Sequence, residues 1–290
     1  MTIRFIINPI SGNRKHHNVK ELIHRYLDAT KFQFDCVYTE RPQHATLLAS
    51  EAAKQGLDVV VAVGGDGTMH ECAIGLLGSH TSLAMLACGS GNGMAFHFGV
   101  NADLKLAIQQ LNSNVFRTID SCTANGLPFF NVSGVGFDAH IAHLFADTTV
   151  RGFITYIKLV LRECAFYPAQ TYTLEYDGKI EQHKAVIISW ANASQFGNNA
   201  TISPQSKVDD GLVDICILQD FNRLRVPALL YRLFNNSIHR SPLMKIIRTK
   251  RITIRCKNGI SHLDGEVVNL GQTIEINTLA NSFKLFVPNG

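Results

Sequence analysis

No stretch of about 18 or more consecutive apolar residues occurs in this 290-residue chain, so a membrane-spanning helix is not expected. The opening "MTIRFIINPIS" lacks the long apolar region and the small-residue cleavage site of a secretory signal, which points to a cytoplasmic protein. Cys-x-x-Cys pairs are also missing. The seven cysteines are odd in number and scattered, which argues against a disulfide framework or a zinc or dithiol motif and predicts reduced, buried thiols. No Gly-Lys-Ser/Thr of a P-loop is present, and the glycine run at 89–93 fails as a dinucleotide fingerprint because Met94 stands at its sixth position. A net charge of +4 is too small to imply nucleic acid. Acidic residues are wholly absent from Phe221 to Leu263, where ten Arg and Lys residues fall. Such a stretch is either a face drawn to anionic lipid headgroups or a solvated surface with snorkelling side chains.

What is present is enough apolar content, 46%, for two modest domains with their own cores. "IRFIIN" at 3–8 reads as a buried strand and "VKELIHRYL" as a helix; "FQFDCVYT", "DVVVAVGG" and "SLAMLACG" continue as strands separated by helical stretches. Regular alternation of this kind predicts a doubly wound parallel sheet, an α/β arrangement. From about Phe116 short alternating segments take over, eight in number from "FRTIDSCTA" to "SFKLFVP", and predict an antiparallel sandwich or barrel. Two helices are expected to interrupt it, near 150–164 and 223–235, with Pro227 suited to a first turn. The expected boundaries are 1–118 and 119–278, with 279–290 returning to the first domain.

Open parallel sheets bind ligands beyond the carboxyl ends of their strands, and "NPISGNRK", "GGDGT" and "CGSGNG" all fall at such ends. Glycines there leave backbone N–H groups free to face phosphate at the start of the following helix. Asp66 is then unexpected, since a carboxylate repels phosphate unless a divalent cation lies between them. It reads as a metal-side or proton-accepting group, or else as an ordinary Asp-Gly turn. Lys15 is a cation able to reach a phosphate. Late in the chain "HLDGEVV" places Asp264 and Glu266 about a glycine, a pattern that by itself describes a hairpin tip.

"NPISG", "GGDGT" followed by Glu71, "GSGN", "NVSGVGFDA", "VDDGLVD" and "DGE" occur in the order and approximate spacing of the soluble diacylglycerol kinase catalytic family, which the chain resembles over nearly its whole length. The resemblance implies an N-terminal nucleotide domain with a doubly wound parallel sheet like that of NAD kinases, a C-terminal antiparallel β-sandwich domain that binds lipid, and a cleft between them where ATP phosphorylates a lipid hydroxyl with Mg²⁺. It implies nucleotide contacts from Asn8, Ser11, Gly12, Lys15, Thr39, Gly64, Gly65, Asp66, Gly67, Thr68, Glu71, Ser90 and Asn92. Glu266 matches a proposed proton acceptor, Asp120 an acidic residue near the active centre, and Lys207, Asp210 and Leu212 a structural Mg²⁺ site made of one carboxylate and two carbonyls.

This sequence departs from the family in having Asn92-Gly93 where many members have Asn-Asp, which removes one carboxylate and looks closer to sphingosine and ceramide kinases, where the Asp of the Gly-Asp-Gly turn is often named as the base. The resemblance thus implies Glu266, Asp66 and Asp120 as the catalytic set. The implied partners are a nucleotide and a lipid met at the inner face of the membrane, with no nucleic acid; a homodimer is compatible with the sequence. The segment 153–167 either lines a lipid slot or is a helix packed on the sandwich. His140 and His143 lack a third positioned ligand for a metal. Two rivals remain. An NAD kinase-like enzyme would share "GGDGT", although no Asn-x-Gly-x-Leu-Gly-Phe stretch follows the second glycine loop. A non-catalytic lipid- or nucleotide-binding module would not need Asp66, Glu71 and Glu266 together.

Overall fold

The computed structural model describes residues 1–12, 18–113, 115–146 and 153–288. The chain divides into two compact units, Met1–Ile119 with Asn281–Gly290, and Asp120–Ala280.

In the first unit the elements run β1 (Thr2–Ile7), α1 (Val19–Tyr26), β2 (Gln33–Tyr38), α2 (His44–Lys54), β3 (Val59–Gly64), α3 (Asp66–Leu76), β4 (Ser82–Ala87), α4 (Gly93–His97) and α5 (Leu104–Leu111). The strands pair in parallel in the order β2-β1-β3-β4, with Phe5 beside Val61 and Val61 beside Ala84. All six residues of β3 and of β4 are buried. Burial on both faces is why their sequences, VVVAVG and SLAMLA, run apolar instead of alternating. Covering helices present small apolar residues: Ala45, Ala49 and Ala52 of α2 pack with α3, which buries Met69, Cys72, Ala73 and Leu76. The strand order turns between β1 and β3, the place where an open sheet leaves a crevice at its carboxyl edge.

The second unit begins within β5 (Phe116–Ala124) and continues through β6 (Leu127–Phe129), β7 (Val132–Gly136), α6 (Phe137–Ala146), α7 (Phe153–Cys164), β8 (Gln170–Tyr176), β9 (Lys179–Ala191), β10 (Val213–Gln219), α8 (Val226–Phe234), β11 (Met244–Thr249), β12 (Arg251–Arg255), β13 (Ile260–Leu263), β14 (Glu266–Asn269) and the first part of β15 (Thr273–Phe286). The end of β15 belongs to the first unit and pairs in parallel with β4, Leu285 beside Leu83. The thirteen-residue β9 is shared: its first half pairs antiparallel with β8, and its second half lies between β7 and β10. Inward-facing residues of successive strands, Tyr172 and Leu174, Ile252 and Ile254, Ile274 and Ile276, close on Trp190 to form the sandwich core. This is the period-two signature of a half-buried strand.

Several elements, among them α4, α6 and β11, escape the sequence reading. Helix α6 follows β7 without a break, and its Phe137 and Ile141 pack with Leu159, Cys164 and Val186. Strand β11, with its Arg and Lys residues, was hidden in the basic run. Six of the seven cysteines are buried and all are free; burial pushes the thiols of Cys72, Cys122 and Cys216 far up, so they behave as small apolar residues.

The acid-free stretch is not one open face. Lys245 pairs with Glu181 at 2.6 Å, Arg248 with Asp214 at 3.1 Å and Arg255 with Glu175 at 3.7 Å, all carboxylates from strands outside the stretch. Glu181 also accepts from Tyr176 at 2.9 Å and meets His183 at 2.9 Å. Hydrogen bonds from Lys245, Tyr176 and His183 hold its carboxyl down at about 2. A depressed carboxyl stabilises the fold above its ordinary value and loses that contribution as pH falls toward 2. The Glu181 side-chain carboxyl resonance is therefore expected to remain that of an ionised group at pH ~3, where ordinary glutamates have titrated. An NMR titration midpoint near that of a free glutamate would contradict this.

Candidate active site

In the first unit the three glycine-bearing loops meet at the carboxyl ends of β1, β3 and β4. The Asn8 side chain donates to Thr68 Oγ1 at 3.0 Å, and the Asn8 backbone N–H donates to the Val63 carbonyl at 2.9 Å. Ser11 Oγ donates to the Asn8 carbonyl at 3.0 Å, and the Thr39 N–H donates to the Ile7 carbonyl at 2.9 Å, which sets Thr39 at the same edge. Gly12 has φ of +61°, and a Cβ on it would stand 1.8 Å from the Cys88 carbonyl oxygen, so the first loop lies directly on the end of β4. Between the second and third loops the approach is backbone to backbone, since a Cβ on Gly89 would be 2.6 Å from Gly65 Cα. Only glycine permits this contact. Lys15 falls outside the described residues.

Asp66 opens α3. Its Oδ2 accepts the Asn92 N–H at 2.7 Å, and the Asn92 side chain in turn closes its own loop, accepting from Gly89 N–H at 3.0 Å and donating to the Gly89 carbonyl at 2.8 Å. Asn92 adopts the left-handed conformation (φ 53°) that asparagine tolerates. The first helix turn of α3 directs N–H groups without helical acceptors, and its positive dipole end, toward this edge. Gly64, Gly65, Asp66, Gly67, Thr68, Ser90 and Asn92 are thus in one neighbourhood with Asn8, Ser11, Gly12 and Thr39. The two oxygens of Glu71 accept the N–H groups of Gln43 and Ala45, each at 3.1 Å, and so hold the start of α2.

In the second unit Asp264 and Gly265 make the two-residue turn between β13 and β14, with φ of 50° and 95°, as a tight hairpin requires. The Asp264 carboxylate accepts from the N–H groups of Phe130 and Asn131, both at 2.9 Å, while the Asp264 N–H donates to Ser133 Oγ at 3.0 Å. From the other side the Gly265 N–H donates to His262 Nδ1 at 3.3 Å, and buried His262 turns Nε2 toward Asp138 Oδ2 at 3.4 Å. Asp138 Oδ2 also accepts from Ser189 Oγ at 2.6 Å. Glu266, next after this pinned turn, is exposed and pairs across the hairpin with Leu263. Asp264→Ala is expected to destabilise the protein by about 2–3 kcal/mol, because two N–H groups lose a charged acceptor. Urea unfolding reads this out; a loss below about 0.5 kcal/mol would show that the turn does not depend on it.

Asp120 is fully buried, and its Oδ2 accepts the Gly211 N–H at 2.7 Å; its own N–H donates to the Val208 carbonyl. It therefore fastens the 207–212 turn. In that turn Asp210 is exposed, and its Oδ1 accepts the Leu212 N–H at 3.0 Å. One carboxylate with neighbouring carbonyls is an oxygen-only donor set of the kind a hard cation takes. No group of three or more His, Cys, Asp or Glu side chains suited to a metal occurs among the described residues.

Sequence reasoning missed Asn192. Fully buried, it donates through Nδ2 to the carbonyls of Asp120 at 3.0 Å and Phe130 at 3.1 Å, which ties the Asp120 strand to the segment that pins the Asp264 turn. Its partners lie 72 and 62 residues away, and no local pattern announces them. Helix α7 packs Leu159 and Cys164 against α6, as expected of a helix lying on the sandwich. A cavity of about 120 Å³ nearby has His140, His143, Tyr167 and Gln170 among its described lining residues. His140 meets Glu163 at 3.0 Å.

Comparison with known proteins agrees with both units. Residues 2–124 match the diacylglycerol kinase catalytic domain, and residues 131–279 match the YegS C-terminal NAD kinase beta sandwich-like domain. A diacylglycerol kinase of Bacillus subtilis is 28% identical over 239 residues, covering 76% of this chain and 74% of its own. A diacylglycerol kinase of Mycobacterium tuberculosis is 26% identical over 278 residues, covering 90% and 87%. The crystal structure of a diacylglycerol kinase from Bacillus anthracis superposes with a TM-score of 0.75 over 99% of this chain and 97% of that one, and at 20% identity it shows a shared fold. With a parallel-sheet unit and a β-sandwich unit that each match their counterpart, the chain belongs to the diacylglycerol kinase catalytic family of lipid kinases.

Proposed function

We propose that this kinase transfers the γ-phosphate of ATP to the hydroxyl of a diacylglycerol-like or sphingoid lipid, at the inner face of the cytoplasmic membrane, in lipid metabolism. The observation that carries the reading is the meeting of three loops at one sheet edge, with Asp66 at the head of α3 and fastened to Asn92. Phosphoryl transfer needs little covalent help from a protein; alignment and charge neutralisation do most of it. Backbone N–H groups of the Gly65–Thr68 turn suit phosphate oxygens. Asp66 is assigned to the magnesium side of the phosphates, and Asp210 with the carbonyls of Lys207 and Leu212 to a structural Mg²⁺. When bound, Mg²⁺ supplies positive charge to the phosphate oxygens. Glu266 takes or orients the hydroxyl proton, and buried Asp120 positions the 207–212 turn.

The test is incubation with labelled ATP and Mg²⁺ against diacylglycerol, monoacylglycerol, phosphatidylglycerol, sphingosine and ceramide, with products separated by thin-layer chromatography. One labelled lipid, absent with Asp66→Asn, is the expected result. Phosphorylation of NAD without any lipid product would replace this reading with the NAD kinase-like one. ATP binding without turnover on any of these substrates would leave a binding module.

A further inference from the structure

We propose that the solvent side of α8, with the short turn before it, docks the protein on an anionic lipid bilayer. Helix α8, VPALLYRLF, carries Arg232 as its one charged residue. Its inner side is accounted for: Leu229 is buried and Leu233 packs beside it in a cluster with Cys216 and Met244. A surface helix of this kind normally turns polar residues outward. Here the outward residues are apolar as well, with Leu224 87% and Tyr231 69% exposed and Phe234 at the margin. Arg223 donates to the Tyr167 carbonyl, which brings the adjoining turn alongside, and Phe166 in that turn is 85% exposed. Grouped exposed apolar side chains on a soluble surface mark an interaction site.

Charge selects the occupant. Arg225 and Arg240 are exposed and make no ion pair among the described residues, in contrast to Lys245, Arg248 and Arg255. Ile238, in the 3₁₀ turn that bears Arg240, packs in the same cluster as Leu229, so Arg240 flanks the helix. Asp220, the nearest acid before the stretch, is held by Lys184 at 2.7 Å. Apolar and tyrosine side chains with arginines around them match a bilayer interface, where the first enter the acyl boundary and the second meet headgroup phosphates. A second copy of the chain fits less well, because an isologous contact would set Arg225, Arg232 and Arg240 near their own counterparts. The inference rests on the lipid kinase reading in one respect: a substrate with acyl chains is met in a membrane.

The test is flotation of the full chain with phosphatidylcholine vesicles, with and without phosphatidylglycerol. The wild type should float with phosphatidylglycerol vesicles and release as salt rises. Leu224→Glu with Tyr231→Glu should weaken that binding about tenfold or more by removing the buried apolar area. Arg225→Glu with Arg240→Glu should weaken it to a similar extent, about tenfold, and flatten its salt dependence. Melting temperature and turnover on diacylglycerol in non-ionic micelles should match wild type for both variants. Wild-type binding retained by the Leu224/Tyr231 variant, or salt-insensitive binding by the wild type, would overturn the assignment. So would a dimer that this variant disperses without any flotation by the wild type. Micellar turnover absent from the wild type, with the flotation pattern intact, would count against the kinase reading and leave the docking face standing.

Discussion

Asp66→Asn should lower turnover about 10²–10³-fold on whichever lipid the wild type phosphorylates, the scale seen when one electrostatic group aimed at reacting charge is removed. The substitution is chosen because it separates charge from architecture. The amide keeps an oxygen that can accept the Asn92 N–H now held at 2.7 Å, and it keeps the shape around which the Gly89–Asn92 loop closes. Asparagine is tolerated at a helix start, and weakening one hydrogen bond from charged to neutral should remove only about 1 kcal/mol. Circular dichroism and the urea midpoint should therefore change little while the rate collapses. If Asp66 acts beside magnesium, the apparent requirement for Mg²⁺ should rise in the variant as well. A variant retaining activity within about threefold of wild type would return Asp66 to the status of a turn residue, because so small a change is under 1 kcal/mol of barrier.

How far the site can be read before folding depends on the range of the interactions that build it. The strand runs at 59–64 and 82–87 are legible because burial on both faces removes alternation, and the loops at their ends inherit their place from the sheet. The hairpin tip at Asp264-Gly265 is legible from its turn chemistry. Contacts between distant segments are not. That the oxygens of Glu71, which follows "GGDGT", also accept from residues 28 and 26 positions earlier is announced by no local pattern. The basic run looks like a single face because its partners, Glu175, Glu181 and Asp214, are supplied by other strands. Helix α6 was missed for a local reason: it starts directly after Gly136, with no Ser, Thr, Asp or Asn immediately before it to announce a helix start. Phe137 and Ile141, four apart and both buried, were the available signal.

Glu266→Gln should leave ATP affinity and folding nearly unchanged and lower kcat about 10²–10⁴-fold, the contribution usual for a positioned general base. The residue is exposed, and its strand pairing with Leu263 uses backbone groups, so an amide of the same shape should not disturb the hairpin. The turn beside it is held by Asp264, His262 and Ser133, none of which is touched. This makes the comparison with Asp264→Ala informative: that variant should unfold at lower urea, whereas Glu266→Gln should keep the wild-type midpoint and lose the rate. A comparison with Asp66→Asn separates the two carboxylates further, since a change at the magnesium side should alter the metal requirement and a change at the proton acceptor should not. A Glu266→Gln enzyme with kcat within about threefold of wild type would remove Glu266 from proton transfer and direct attention to Asp66 as the remaining acceptor.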